Sequence, residues 1–415
     1  MIIRARTVVT MDGPPIENGV VAISENQIID VGTFPEVSAR HPGKKIVDLG
    51  EQALLPGLIN AHCHLDYTCL RGKIPPRKSF ADWIRAINAE KAKLSCGDYL
   101  ASINEGFAEA KRFGTTTIAN LTAFPELISQ IQAPVRTWWF AELIDVRSPE
   151  RASEIVDLAI GFLKPASNWG LAPHALFTAS RDLYWRCEEI ARREKILLTT
   201  HLAESREEMS LFHDGAGPLY DFMRSMGRPM DDCGHETPLR LFSDTIGAPP
   251  STSLRTGSDR ALPTGWIVAH LNELAESDFE LLGGSRRKFY VVHSPRSHHY
   301  FAHSRFPFER LRALGFNICL ATDSLASNES LSLFAEMRAF QGNEPGLSPD
   351  KIFEMVTVNP ALALHQSRHG GTLGRIRPGF QADLISIPCS GGANLFEEIV
   401  AFDGPVDWMM VNGRM

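Results

Sequence analysis

Short apolar runs alternate with longer amphipathic stretches along this 415-residue chain, and that alternation limits its fold more than any other feature. The runs are rich in β-branched or aromatic residues, and stretches such as 99–113, 181–194 and 331–341 have helical spacing. Eight strand candidates lie at 58–62, 115–119, 137–142, 170–172, 196–201, 265–270, 289–293 and 317–322. Repeated βα units of this kind predict a parallel sheet, either a closed (β/α)8 barrel or an open doubly wound sheet.

The two ends of the chain have a different pattern. Residues 2–10, 19–24, 27–31 and 45–48 are predicted to be short strands, and no helical periodicity is visible before residue 57. Strand candidates at 382–387 and 406–411 repeat that pattern at the other end. We therefore predict an α/β fold: a TIM-like barrel over 57–368 and a small β-sandwich domain built from 1–56 and 369–415.

One connection is much longer than a single helix. Residues 205–263 separate the fifth and sixth strand candidates, and 247–264 are rich in Ser, Pro and Gly. We expect a lid-like excursion over the barrel mouth, with 247–264 as loop.

Composition excludes several classes of protein. With 44% hydrophobic and 22% charged residues the chain has ample material for a large core, and its net charge of -7 without a basic stripe argues against a nucleic-acid partner. No apolar stretch is long enough for a membrane span, and Arg4 and Arg6 interrupt any secretory signal. Seven scattered cysteines, none spaced CxxC, indicate neither a disulfide framework nor a thiolate zinc site. A cytoplasmic protein with a small-molecule substrate is expected, and a homo-oligomer is compatible with the sequence.

Polar side chains recur where the strand candidates end. His62 and His64 close the first strand, and residues two apart on a strand face the same side. Further groups of this kind are His174 after the fourth strand, His201 and Glu204 at the fifth, His270 at the sixth, His293 at the seventh and Asp323 at the eighth. Barrels assemble their active sites at the carboxyl ends of the strands, and this placement favours the barrel.

Three of these histidines and one carboxylate form a plausible metal-binding set. His62, His64, His201 and Asp323 are nitrogen and oxygen donors suited to one Zn²⁺, with Fe²⁺ or Mn²⁺ as alternatives. The fourth strand carries no lysine that could be carboxylated to bridge a second ion. One divalent metal is therefore predicted.

The motifs at these positions resemble the amidohydrolase superfamily. The run Leu-Pro-Gly57-Leu-Ile-Asn-Ala-His62-Cys-His64, together with His201, His270 and Asp323, is similar to its mononuclear deaminase branch. Within that branch, the segments around Glu204 and Asp323 look most like aminodeoxyfutalosine deaminases, with S-adenosylhomocysteine or methylthioadenosine deaminases as close relatives. Ser294 stands where many members have Cys, and His-Cys-His replaces the commoner His-Thr-His.

The resemblance implies hydrolytic release of ammonia from a 6-aminopurine nucleoside. It makes Glu204 the group that protonates the ring, His270 a partner of the attacking water, and Asp323 a ligand that also passes a proton to ammonia. His174 and Trp83 are candidate substrate contacts, although helix packing is the simpler interpretation of Trp83 and of its neighbour Phe80. Residues 294–299, which follow His293, could bind the polar end of the substrate, but an exposed loop is the simpler interpretation. The alternative function is hydrolysis of another N-heterocycle, such as an s-triazine, and a non-catalytic scaffold is disfavoured by the complete set of ligands.

Overall fold

The computed structural model describes residues 1–247, 265–285, 288–365 and 372–415. Its largest sheet is parallel, and each strand pairs with the next one along the chain. The eighth position is split: Ile318–Leu320 pairs with the seventh strand, and Asp323–Ser324 pairs with the first. Because only two residues separate these segments, the sheet closes into the predicted barrel. The strands are Leu58–His64, Thr115–Thr122, Arg136–Leu143, Trp169–Pro173, Leu197–Leu202, Trp266–His270, Tyr290–His293, Ile318–Leu320 and Asp323–Ser324.

Apolar side chains from all eight strand positions fill the barrel interior. They form one buried cluster: Ile59, Ala61, Ala119, Leu121, Trp138, Phe140, Ala172, Leu197, Ile267, Val292, Cys319 and Ala321. Such a barrel is a packed core and has no pore. The polar groups of the predicted site lie at its rim.

The three helices predicted by spacing are present, two of them with shifted starts. The helix Arg181–Glu194 has the predicted bounds. The helix predicted at 99–113 begins earlier, at Cys96, because Ser95 accepts from the Asp98 amide while Asp98 accepts from the Ser95 amide. The third begins at Leu333, where Ser332 caps the Ala335 amide.

Most of the remaining helices surround the barrel or rise above its rim. The α-helices of the described residues, apart from those just given, are Phe34–Arg40, Phe80–Lys91, Ala152–Leu163, Arg206–Met209, Pro218–Ser225, Pro238–Gly247, Glu276–Gly284, Pro295–Tyr300, Phe308–Ala313, Pro349–Glu354, Val358–Leu364 and Leu395–Ala401.

Strands from both chain ends form two smaller sheets. One has the order Gln27–Thr33, Gly19–Ser24, Ile2–Arg4, Ile46–Asp48, and the other has Trp408–Met410, Leu384–Pro388, Gln52–Pro56, Thr7–Val8, Ile16–Glu17. One apolar cluster draws on both sheets, with Ile3 and Val21 from the first and Leu54, Leu384 and Met410 from the second. The pairing of the chain ends supports a composite unit. We propose its boundaries at 56/57 and 368/369, of which the second lies outside the described residues.

Two expectations for the first 56 residues are wrong. The strand predicted at 2–10 is two strands, Ile2–Arg4 and Thr7–Val8, which belong to different sheets. A helix, Phe34–Arg40, occurs where none was expected. Glu36 accepts from the Thr33 hydroxyl and amide, a local capping signal that needs no long periodicity, and seven residues with Val37 alone buried leave little periodic pattern to detect.

The long connection after the fifth strand is largely helical in its described part. It contains Arg206–Met209, Pro218–Ser225 and Pro238–Gly247, while the loop predicted at 247–264 lies, apart from Gly247, outside the described residues. Within the described ranges, helices of membrane-spanning length and hydropathy are absent.

Candidate active site

The four predicted metal-binding groups meet at the carboxyl end of the barrel. His62 and His64 close the first strand, His201 lies on the fifth, and Asp323 begins the second half of the eighth. The Asp323 Oδ1 atom lies 3.7 Å from His62 Nε2 and 3.8 Å from His64 Nε2. The Nε2 atoms of His64 and His201 are 3.3 Å apart. The three distances join side chains that are 137 or more residues apart in the sequence.

The chemistry of these donors fits a divalent metal. Both ring nitrogens of His62 are buried without a hydrogen-bond partner. Buried polar atoms are rarely left unpaired, because that costs free energy. Ligand atoms of His62, His64 and Asp323 all lie within 4.8 Å of one another, as do those of His62, His201 and His270. Imidazole nitrogen and carboxylate oxygen at this spacing are the donors that Zn²⁺ uses.

Glu204 and His270 lie beside this cluster. Glu204 Oε1 is 3.7 Å from His270 Nε2, and both residues are buried, so Glu204 is not a solvated surface carboxylate. The backbone has positive φ at Ala203, His270 and Asp323. Side chains other than glycine seldom adopt that conformation, and it is found more often at functional sites. The turns that carry these groups are held in an unusual shape by the fold around them.

Glu208 holds the turn that carries Glu204. Its carboxylate accepts from the amides of Ala203 at 3.1 Å and Glu204 at 2.7 Å. The Asn272 side chain donates to the Glu204 carbonyl at 3.0 Å. Both ends of the Glu204 backbone unit are therefore fixed, which limits where its side chain can lie.

The second oxygen of Asp323 is held by two serines. Ser297 Oγ donates to Oδ2 at 2.7 Å and Ser327 Oγ at 3.3 Å. Ser297 lies on the helix Pro295–Tyr300, so the interpretation of 294–299 as an exposed loop is wrong. A proline at the first helical position and the burial of Ser297 explain the helix. His293 is buried with its ring stacked on Phe306, 4.0 Å between centroids, a packing position.

The sequence interpretation missed Glu142. This residue lies near the end of the third strand, and its side chain is 5% exposed. Its Oε1 atom makes no hydrogen bond and lies 3.7 Å from His64 Nδ1 and 4.0 Å from His174 Nε2. His64 Nδ1 also makes no hydrogen bond. A ring nitrogen of the predicted metal ligand His64 and a carboxylate oxygen of Glu142, both buried and without a hydrogen-bond partner, therefore face each other.

The candidate substrate contacts border the same pocket. His174 Nδ1 lies 2.6 Å from Thr178 Oγ1, and the His174 carbonyl accepts from the ring Nδ1 of His201 at 2.9 Å. Trp83 also lines the pocket and packs against Phe80 and Phe301. Both the stacking and the packing interpretation of Trp83 agree with this position. The full lining is His64, Tyr67, Phe80, Trp83, Ile84, Ile87, Asn88, Lys91, Glu142, Ile144, His174, Phe177, Thr178, His201, Glu204, His270, Asp323 and Ser324.

Burial controls the protonation of these groups. It raises the pKa of Glu204 well above its ordinary value, and the charges of Asp323 and Glu208 raise it further. It lowers the pKa of His201 to about 4, and it also lowers that of His270. Burial alone would raise the pKa of Asp323, but the surrounding histidines, His62 first, bring it below its ordinary value. Neutral imidazoles and an ionised Asp323 are the forms that bind metal, while Glu204 can hold a proton.

Comparison with known proteins agrees with this geometry. The Amidohydrolase family matches residues 53–415. The chain is 28% identical over 393 residues to the 5-methylthioadenosine/S-adenosylhomocysteine deaminase of Syntrophobacter fumaroxidans, covering 91% of this chain and 81% of the relative. It is 30% identical over 395 residues to the 5'-deoxyadenosine deaminase of Methanoregula boonei, covering 89% and 79% respectively.

A solved structure has the same fold. The Helicobacter pylori aminofutalosine deaminase matches with a TM-score of 0.84 at 19% identity, covering 100% of this chain and 99% of that one. This likeness concerns the fold, and the family match covers both the barrel and the C-terminal strands. The chain belongs to the amidohydrolase family of hydrolytic enzymes.

Proposed function

We propose that this protein is a metal-dependent hydrolytic deaminase that releases ammonia from the 6-amino group of an adenosine-like nucleoside, with aminodeoxyfutalosine as its foremost substrate. The observation that carries the proposal is that the buried side chains of His62, His64, His201 and Asp323 meet at one point. Three of them, His64, His201 and Asp323, line one pocket together with Glu204. Metal donors beside a carboxyl group that can hold a proton are what hydrolysis at an aromatic C–N bond requires.

His62, His64, His201 and Asp323 would hold one divalent ion, which we propose to be zinc, with iron or manganese as alternatives. Such an ion lowers the pKa of a water molecule from 15.7 to about 7 and so supplies a nucleophile at neutral pH. The unpaired buried ring nitrogens of His62 support this assignment.

Glu204 would donate a proton to the ring nitrogen next to the carbon under attack. Attack at that carbon removes the aromaticity of the ring, and the ring nitrogen must then gain a proton. Burial keeps the pKa of Glu204 high, so that the carboxyl group has a proton to give. His270, 3.7 Å from Glu204, would accept a hydrogen bond from the attacking water, and Asp323 would pass a proton to the departing ammonia.

The pocket supports a nucleoside-sized substrate. Its wall combines the aromatic rings of Phe80, Trp83 and Phe177 with the imidazole of His174, which would contact the purine. The relatives at 28% and 30% identity are named for adenosine derivatives altered at the 5' position, which also favours methylthioadenosine or S-adenosylhomocysteine as a second candidate. Contacts far from the reacting atoms are a source of binding energy for orienting the ring.

A substrate panel tests the proposal. We expect 5'-substituted adenosines, aminodeoxyfutalosine first, to release ammonia with kcat/KM at least about tenfold above free adenine, a difference of about 1.4 kcal/mol in transition-state binding. The panel should include methylthioadenosine, S-adenosylhomocysteine and 5'-deoxyadenosine, with ammonia measured by a coupled assay. Guanine, cytosine or a chlorotriazine as the best substrate would overturn the proposal and favour another N-heterocycle.

A further inference from the structure

One lysine in the pocket has no counterion. Lys91 lines the same pocket as Glu204 and Asp323, and its ammonium makes no ion pair or hydrogen bond with any described residue. Its Nζ lies 4.7 Å from the centre of the Tyr67 ring, which is stacked on the His64 ring at 5.8 Å. Little more than one aromatic ring therefore separates this charge from a predicted metal ligand.

The two carboxyl groups that interact electrostatically with Lys91 make their contacts with other groups. Burial raises the pKa of Asp66 and of Glu142, and the positive charge of Lys91 opposes both shifts, so both carboxyl groups are within electrostatic range of its ammonium. Asp66 accepts from Thr122 Oγ1 at 3.0 Å and from the Ala123 amide at 2.9 Å. Glu142 faces the rings of His64 and His174. A half-buried ammonium without a paired anion attracts an anion that enters the pocket.

The position of Lys91 matches the remote part of a substrate. The reacting carbon must lie near Glu204, His270 and Asp323, at the ends of the fifth, sixth and eighth strands. Lys91 lines the pocket together with Glu142 on the third strand and His174 just after the fourth, which lie elsewhere on the rim, and its Nζ lies over the Tyr67 ring. A molecule with its ring at Glu204 therefore has room to extend toward Lys91.

One face of the helix Phe80–Lys91 changes from apolar to polar along its length. Trp83, Ile84 and Ile87 line the pocket first, followed by Asn88 and Lys91. At 1.5 Å per residue this face spans about 12 Å from Trp83 to Lys91. An apolar strip that ends in an amide and a cation is complementary to an apolar group that ends in an anion.

We propose that Lys91 binds a carboxylate at the far end of the substrate's 5' substituent and so selects anionic nucleosides over neutral ones. The inference rests on the proposed deaminase function. Aminodeoxyfutalosine, whose substituent ends in a benzoate, and S-adenosylhomocysteine, whose substituent ends in an amino acid, carry such a group. Methylthioadenosine and 5'-deoxyadenosine do not.

The test compares one substrate with its neutral analogue. Aminodeoxyfutalosine and the derivative with its carboxylate converted to a carboxamide are assayed with wild type, Lys91→Met and Lys93→Met. Lys93 is the matched control, because it pairs with Glu90 on the surface at 2.6 Å. We expect the ratio of kcat/KM for carboxylate over carboxamide to fall about tenfold or more in Lys91→Met, the usual worth of one charge-assisted hydrogen bond, and to stay unchanged in Lys93→Met.

The outcomes separate this inference from the function on which it rests. If the carboxylate-to-carboxamide ratio of kcat/KM is unchanged in Lys91→Met, or if kcat/KM falls equally for both substrates, the role of Lys91 is overturned. The proposed deaminase function would stand in that case. A wild-type enzyme that prefers the carboxamide would also overturn that role. If no adenosine derivative releases ammonia, the proposed function itself is wrong.

Discussion

Replacing Glu207 should loosen the pocket wall without touching the predicted metal ligands. Glu207 follows the catalytic turn, and its two carboxylate oxygens accept from the amides of Phe80 and Ala81, each at 3.0 Å. These are two of the amides that a helix cannot pair internally at its start. Ser79 Oγ accepts from the third, that of Asp82. Glu207 therefore connects the Glu204 turn to the helix Phe80–Lys91, which carries six residues of the pocket wall.

The size of the effect follows from these two bonds. A hydrogen bond to a charged group contributes about 1.5–3 kcal/mol, and the lower value applies because Glu207 is only partly buried and water can take its place. Glu207→Ala should thus destabilise the first turn of the helix by about 2–3 kcal/mol, which would speed amide exchange there by about 30- to 150-fold. KM should rise more than kcat falls, because the change acts on the wall of the pocket and not on the reacting groups.

Hydrogen exchange of residues 80–84 and steady-state kinetics on the best substrate measure the two effects. Glu207→Gln keeps one acceptor oxygen and should give an intermediate result, and Glu150→Ala, at an exposed position in a separate helical turn, is the control. Exchange at the wild-type rate in Glu207→Ala would refute the capping role. Faster exchange with an unchanged KM would show that the order of this helix does not govern binding.

Four other measurements test the site. Elemental analysis should find one divalent metal per chain, and two ions, or none in an active preparation, would contradict the predicted ligand set. Glu204→Gln should keep its metal but lose about 10²- to 10⁴-fold in turnover, and wild-type turnover would remove Glu204 from the mechanism. Glu142→Gln should weaken metal affinity about 10- to 100-fold in a chelator competition if its carboxylate orients His64, whereas unchanged affinity would exclude that role. Glu336 lies on the helix Leu333–Asn343 and accepts hydrogen bonds from the Arg296 amide and the Asn328 side chain. Burial raises its pKa from 4.5 to about 8, so between these pH values the folded chain holds a proton that the unfolded chain has lost. The free energy of unfolding of the wild type should then fall more steeply from pH 5 to 8 than that of Glu336→Gln, and equal slopes would contradict the shift.

The fold was predictable because its signals are periodic. Eight apolar runs separated by helices indicate βα units, and polar residues at their carboxyl ends favour a barrel over an open sheet. Local features that lack a period were missed. The helix Phe34–Arg40 depends on one capping interaction, and the helix Pro295–Tyr300 is stabilised by the burial of Ser297 against Asp323. The Thr33–Glu36 capping pair was readable in the sequence, whereas the burial of Ser297 against Asp323 cannot be seen before the chain is folded.

The site was predictable where one residue type suffices to indicate the chemistry. Histidines at strand ends are conspicuous, and His62, His64 and His201 were found in that way. Ser297 and Ser327 were missed because serines are common and their role depends on a carboxylate that is distant in sequence. Their contacts with Asp323 exist only after the chain has folded and the rim of the barrel has formed.

Glu142 is a different case, because the sequence does contain a signal for it. It follows the apolar run Trp138–Ala141 in the strand Arg136–Leu143, at the strand end where the other strands carry their histidines and aspartate. Applied to every strand, the rule that identified His201 and Asp323 also selects Glu142. A charged residue inside a buried strand costs several kcal/mol unless it is paired, so its presence already requires a partner. The folded chain supplies candidate partners in His64 and His174, and this makes Glu142 the strongest test of whether strand-end position alone can identify members of such a site.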